Sequence, residues 1–124
     1  MGPEYLIILD GNNIEKSFEE LKNIQEISKK DSSLKVHFSN DFSLDEIIFD
    51  YYFTFSDFSE KITSLKFENF YRFDGIFLSK LAKHKKFFPK LNEFILNNVR
   101  ISNFELLLEF FIQENIKQLQ FLMN

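Results

Sequence analysis

Residues 91–112 read LNEFILNNVRISNFELLLEFFI, and the way this stretch divides decides the fold. Its first part alternates, with Phe94 and Leu96 on one side of an extended chain and Glu93, Ile95 and Asn97 on the other. That period of two gives a pleated strand one apolar face and one mixed face. A short polar turn follows. Ser102 and Glu105 then stand at the spacing of a capping box, where hydroxyl and carboxylate each satisfy an orphan N–H of a helix start. Behind them Phe104, Leu107, Leu108, Phe111 and Ile112 recur at helical spacing. The stretch therefore predicts strand, turn and helix, and neither element buries its apolar side alone.

The same sequence of elements extends in both directions. YLIIL at 5–9 is a short apolar run closed by the turn cluster Asp10, Gly11, Asn12 and Asn13. Ile14, Phe18, Leu21, Ile24 and Ile27 then mark an amphipathic helix that stops in the polar run 29–33. Leu34, Val36 and Phe38 alternate with Lys35 and His37 as in a strand, and Ser39, Asn40 and Asp41 turn the chain. Ser43 and Glu46 offer a second capping box ahead of Leu44, Ile47, Ile48 and Tyr51, while 52–59 fits either a longer helix or an aromatic loop. Leu65, Lys66, Phe67 and Glu68 resume the strand pattern. Asp74 caps a helix bearing Phe77, Leu78, Leu81 and Ala82, which must stop before Pro89. Leu119 to Leu122 alternate once more.

Pairing the strand anchors as Leu6/Ile8, Leu34/Val36, Leu65/Phe67, Phe94/Leu96 and Leu119/Phe121 gives successive separations of 28, 31, 29 and 25 residues. Strands at a near-constant period, each gap holding a helix pattern, are the mark of a repeat architecture. The chain resembles the leucine-rich repeat family, whose template is met best by Leu91, Phe94, Leu96, Val99 and Ile101, less well by Ile62, Leu65, Phe67 and Phe70, and by Ile116, Leu119, Phe121 and Asn124. The template's Asn/Cys position falls on Gly11, Ser39, Phe70 and Val99, so only Asn124 matches there. Pro3 and Asp31 stand where its first apolar residue belongs. The resemblance is to the ribonuclease-inhibitor-like subclass. It implies one α/β domain over 1–124 with about four and a half repeats: a short solenoid with a parallel sheet on its concave face and helices on its convex face.

In such a stack the strand residues pointing away from the core form rows on the concave face. The expected rows are Ile7, Lys35, Lys66, Ile95 and Gln120; Leu9, His37, Glu68, Asn97 and Leu122; and Tyr5, Ser33, Ser64, Glu93 and Gln118. Their mixed character suits a protein partner better than a phosphate backbone. Lys35, His37, Lys66, Glu68, Glu93, Ile95, Asn97 and Gln120 are accordingly the expected partner-binding residues. Apolar strands near both ends predict self-association or docking on a larger assembly, since a solenoid without polar caps exposes core and strand edge.

Composition narrows the remaining classes. At 124 residues with 44% hydrophobic content and 18 Phe, the chain has enough apolar matter for one packed domain. Its apolar runs fall far short of the ~20 residues a bilayer span requires, and no signal-peptide pattern opens it, so the expectation is a cytoplasmic protein without a membrane partner. The absence of cysteine removes disulfides, thiolate nucleophiles and thiolate metal sites. A net charge of −4 argues against broad nucleic-acid binding outside the local basic run Lys80, Lys83, His84, Lys85 and Lys86.

One rival carries chemistry. Ile7, Ile8, Leu9, Asp10, Gly11, Asn12 and Asn13 resemble the strand-Asp opening of PIN-like and NYN-like ribonucleases. The resemblance implies that Asp10 helps hold a divalent cation, with Asp41, Asp45, Glu46 and Asp50 as further carboxylates. A turn of this composition is common in any fold, however, and the later acids follow no matching strand. His37 and His84 lack a partner motif, and three glycines make no phosphate loop. The favoured expectation is a non-catalytic interaction module with no cofactor and no metal.

Overall fold

A computed structural model describes residues 2–27, 31–42, 59–73, 89–101, 105 and 118–122. Its elements are β1 (Glu4–Asp10), α1 (Ile14–Ile27), β2 (Ser33–Ser39), a 3-10 turn (Ser59–Lys61), β3 (Ile62–Phe73), β4 (Glu93–Ile101) and β5 (Gln118–Leu122). The fold is α/β. The five strands form one sheet in the order of the chain, and each neighbouring pair is parallel. Parallel neighbours need a crossover of a dozen or more residues, which the spacing of the apolar runs provides.

α1 starts at Asn13, whose carbonyl accepts the Ser17 N–H and whose side-chain oxygen accepts that of Lys16. Ser17 then locks the helix to the strand before it. Its Oγ accepts the Asp10 N–H at 2.7 Å, and its hydroxyl proton is shared between the carbonyls of Asn13 at 2.8 Å and Asp10 at 3.0 Å. These bonds account for a serine with only 1% of its surface exposed. Leu21 is fully buried, but Ile14 and Phe18 keep 54% and 41% of their surface, so the helix turns Ser17 and Leu21 inward rather than the first two members of the apolar series.

The core side of the sheet carries Ile7, Leu9, Leu34, Val36, Phe38, Ile62, Leu65, Phe67, Phe94 and Leu96. Register sets Ile7, Val36, Leu65, Phe94 and Leu119 in one row, and Leu9, Phe38, Phe67, Leu96 and Phe121 in the next. Phe38 and Phe67 stack at 4.8 Å and Phe67 meets Phe94 at 5.6 Å, so one ring ties three strands together.

Two sequence expectations are corrected here. β1 is turned by one residue: Ile7 and Leu9 are buried to 1% and 0%, while Leu6 and Ile8 remain 53% and 49% exposed. YLIIL is apolar at every position, so alternation could not say which side faces in. β2 sits two residues further along than the anchor pairing supposed, with Val36 and Phe38 opposite Leu65 and Phe67 and Leu34 opposite Ile62. A slip of two keeps the face, and β2 has three buried apolar residues, so Leu34/Val36 and Val36/Phe38 satisfy the pattern equally. β3 and β4 also run on through the positions expected to be turns. The helices expected behind Ser43, Asp74 and Ser102 and the segment 52–59 lie outside the described residues, Ser59 and Glu105 apart.

Candidate interaction face

The face opposite the core follows from the same pleat. Its rows are Leu6, Lys35, Ser64, Glu93 and Gln118; Ile8, His37, Lys66, Ile95 and Gln120; and Asp10, Ser39, Glu68, Asn97 and Leu122. The rows expected across β3, β4 and β5 hold as predicted. Those through β1 and β2 do not: Lys35 stands beside Ser64, His37 beside Lys66, and Leu6 and Ile8 replace Ile7 and Leu9. Lys35, His37, Lys66, Glu68, Glu93, Ile95 and Asn97 are all half-buried, and Gln120 continues the Ile95 row by register.

Polar groups on this face are already engaged with one another. Ser64 donates to Glu93 Oε1 at 2.7 Å, Asn97 donates to Glu68 Oε2 at 3.1 Å, and Lys66 Nζ lies 3.2 Å from the same Glu68 oxygen. Lys35 Nζ is 3.3 Å from Glu4 Oε1. These bonds constrain the rotamers of Glu68, Glu93, Asn97 and Lys66 at half-burial. His37 sits within this network. Desolvation holds its imidazole below its ordinary pKa, Lys66 and Lys35 push the same way, and Glu68 and Glu93 oppose them.

At the end of this face runs a row of amides that the sequence reading missed. Asn40 donates to Asp10 Oδ1 at 2.9 Å, Asn69 to Asn40 Oδ1 at 3.4 Å, and Asn98 to Asn69 Oδ1 at 2.8 Å. All three asparagines have left-handed backbones, with φ of 52°, 59° and 54°, a conformation that Asn tolerates better than most residues. The signal was present. Asn40, Asn69 and Asn98 recur every 29 residues, one position before the template positions Phe70 and Val99 in β3 and β4 and one after Ser39 in β2. Gly11, the residue after β1, occupies the same row, and a Cβ there would overlap the Asn40 carbonyl.

Beyond the amides, Asp41 Oδ1 accepts the Tyr71 N–H at 2.8 Å and the Arg100 guanidinium lies 5.2 Å over the Tyr71 ring. These residues, with Asn69, Phe70, Asn98 and Val99, line an open cleft of about 470 Å³.

Asp10 is occupied as a structural acceptor. Its carboxyl is held below the usual carboxylate range by the Asn40 amide first, then by the Asn12 N–H and Ser39, against a small opposing effect of burial. Among the described residues no three His, Cys, Asp or Glu side chains gather as metal ligands, and Asp45, Glu46 and Asp50 lie outside them. Lys80, Lys83, His84, Lys85 and Lys86 lie outside them too. No helix among the described residues is long and apolar enough to cross a membrane. Compared with protein-family models, with curated proteins and with solved structures, the chain matches none of them.

Proposed function

We propose that the chain is a short leucine-rich-repeat-like solenoid, convex side helical and sheet side concave, serving as a non-catalytic protein-interaction module in the cytoplasm. The observation that carries the reading is the outward face itself. Seven half-buried side chains from three adjacent strands stand in rows, with Glu93 bonded across the sheet to buried Ser64 and Glu68 to Asn97. A surface ordered in this way loses little side-chain entropy when a partner covers it. Its mixture of Ile95, His37, both charge signs and amides suits a protein surface rather than a run of phosphates. The parallel neighbour order and the 29-residue recurrence of the asparagines support the repeat architecture.

A photo-crosslinking side chain at Ile95 tests the reading in native lysate. It should trap one discrete protein, the same group at exposed Lys22 on α1 should not, and Lys66→Glu should reduce the yield. Equal trapping from both positions counts against the face. The ribonuclease alternative through Asp10 is separated by one assay: manganese-dependent cleavage of single-stranded RNA, abolished by Asp10→Asn, would replace the interaction module with an enzyme.

A further inference from the structure

β1 is an edge strand, and its open side is finite. The Ser33 N–H bonds to the Pro3 carbonyl and the Gly11 N–H to the Ser39 carbonyl, so the odd-numbered residues of this strand address β2. Residues two apart share a direction, so Glu4, Leu6, Ile8 and Asp10 point their N–H and C=O groups away from the sheet. Asp10 is closed off, because both its backbone groups meet the Ser17 hydroxyl. Three residues remain, Glu4, Leu6 and Ile8, and among the described residues no strand lies beyond them. α1 does not close on them either: a groove of about 190 Å³ separates Leu6 and Ile8 from Asn13, Lys16 and Glu20. Leu6 and Ile8 are also about half exposed.

An open edge of this kind binds extended backbone, and natural sheets usually blunt it with charge, proline or a covering segment. Here the open set is symmetric about Leu6, with one further open residue two positions to either side. In an antiparallel pair, directly opposite residues must both direct their backbone groups inward. Two copies of this strand related by a twofold axis at Leu6 meet that rule at every open position. Leu6 faces Leu6, and Glu4 faces Ile8 in both directions, giving six backbone bonds and leaving the capped Asp10 outside. Shifting the axis to Ile7 or Ile8 would set open groups against Asp10, whose groups Ser17 already uses. The aliphatic side chains of Leu6 then cover one another, and the twofold makes a closed pair rather than a fibre.

We infer that the β1 edge joins two copies of this chain as an antiparallel strand pair centred on Leu6. This rests on the reading as an interaction module but uses the backbone edge of β1 rather than the β2–β4 side chains of the outward face, so the two fail separately. The full chain at tens of micromolar should scatter light as a dimer of 14.9 kDa subunits. Leu6→Pro removes both central bonds without touching the β1–β2 ladder, because proline is tolerated where the N–H faces outward. It should raise the dimer dissociation constant about tenfold or more, with circular dichroism unchanged. The chain has no cysteine, so Leu6→Cys carries a single nitroxide. Its spectrum should show close-range dipolar broadening that dilution with unlabelled protein removes. A label at Tyr71→Cys, two strands further in, should show none. Should Leu6→Pro not fold, the labelled chain still decides. A monomer at all concentrations, a mass that keeps growing past two copies, or an unbroadened Leu6 label overturns the pairing. Crosslinking at Ile95 would stand in each case.

Discussion

On the buried side of the sheet Phe38 of β2 lies flat on Phe67 of β3 at 4.8 Å, while on the outward side β3 and β4 set Ser64 against Glu93 at 2.7 Å and Asn97 against Glu68 at 3.1 Å. One register serves both faces, but the two use it differently. Apolar contact is non-directional, so β2 with its three inward residues would bury nearly as much surface after a slip of two. Hydrogen bonds are directional, and the same slip would part Lys35 from Glu4 and break the Asn40–Asp10 and Asn69–Asn40 bonds, while Ser64–Glu93, Asn97–Glu68 and Asn98–Asn69 pin β4 to β3 in the same way. The buried face therefore supplies most of the stability, and the polar positions supply the choice of register.

The largest expected effect lies on the buried face. Phe67 touches Phe38, Phe70 and Phe94, at 4.8, 5.6 and 5.6 Å between ring centroids, and is 2% exposed. Phe67→Ala should cost about 3–5 kcal/mol in urea unfolding, from lost burial plus the cavity left at the meeting of three strands. A loss below ~1 kcal/mol would mean that the faces do not divide the work as stated.

Next in size is the amide row. Asn69→Ala loses a side chain that bonds both neighbours and forces alanine to a φ of 59°. The left-handed backbone costs about 1–2 kcal/mol and the hydrogen bonds about 1, so ~2–3 kcal/mol is expected in the same titration. Asn69→Gly keeps the backbone and loses the bonds, and should cost about half as much. Equal losses for the two variants would show that conformation contributes nothing. Smaller still, Ser64→Ala on the outward face removes a donor to a carboxylate and should cost about 1–2 kcal/mol. Coupling to Glu93 in a double-mutant cycle is the check.

The α/β class, the parallel order and the rows across β3, β4 and β5 were legible because those strands place one unambiguous apolar pair opposite another, Leu65/Phe67 against Phe94/Leu96 against Leu119/Phe121. β1 was not, since Leu6, Ile7, Ile8 and Leu9 leave nothing to alternate with; Ile7 and Leu9 prove to be the buried pair, on a strand that Ser17 ties to α1. β2 failed for the opposite reason, an excess of equivalent inward residues. Lys35 and His37 keep the outward face expected of them because a two-residue slip changes the neighbour and not the face. The asparagine recurrence would have corrected β2, since Asn40 and Asn69 are 29 residues apart. It went unread because these residues stand one place away from the family template's polar position, where a left-handed backbone matters more than the side-chain type.

The smallest effect distinguishes the faces by pH. Apolar contacts on the buried side carry no proton, and among the described residues the histidine that titrates near neutrality, His37, stands on the outward side. His37 has its folded pKa lowered from 6.5, chiefly by desolvation and then by Lys66. The unfolded chain therefore binds the proton more readily, and stability rises with pH wherever that difference holds. His37 contributes fully above about pH 6.5, and its contribution falls away as acid takes the imidazole through its lower folded value. His37→Gln should flatten the dependence of the urea midpoint below about pH 6.5, and Lys66→Gln should move the His37 imidazole titration upward when followed by NMR. A His37 titration unmoved by Lys66→Gln would show that the two side chains, neighbours in register, do not share one electrostatic environment. The outward face would then be a row of independent solvated groups, without the coupled network that makes it a surface ready to be bound.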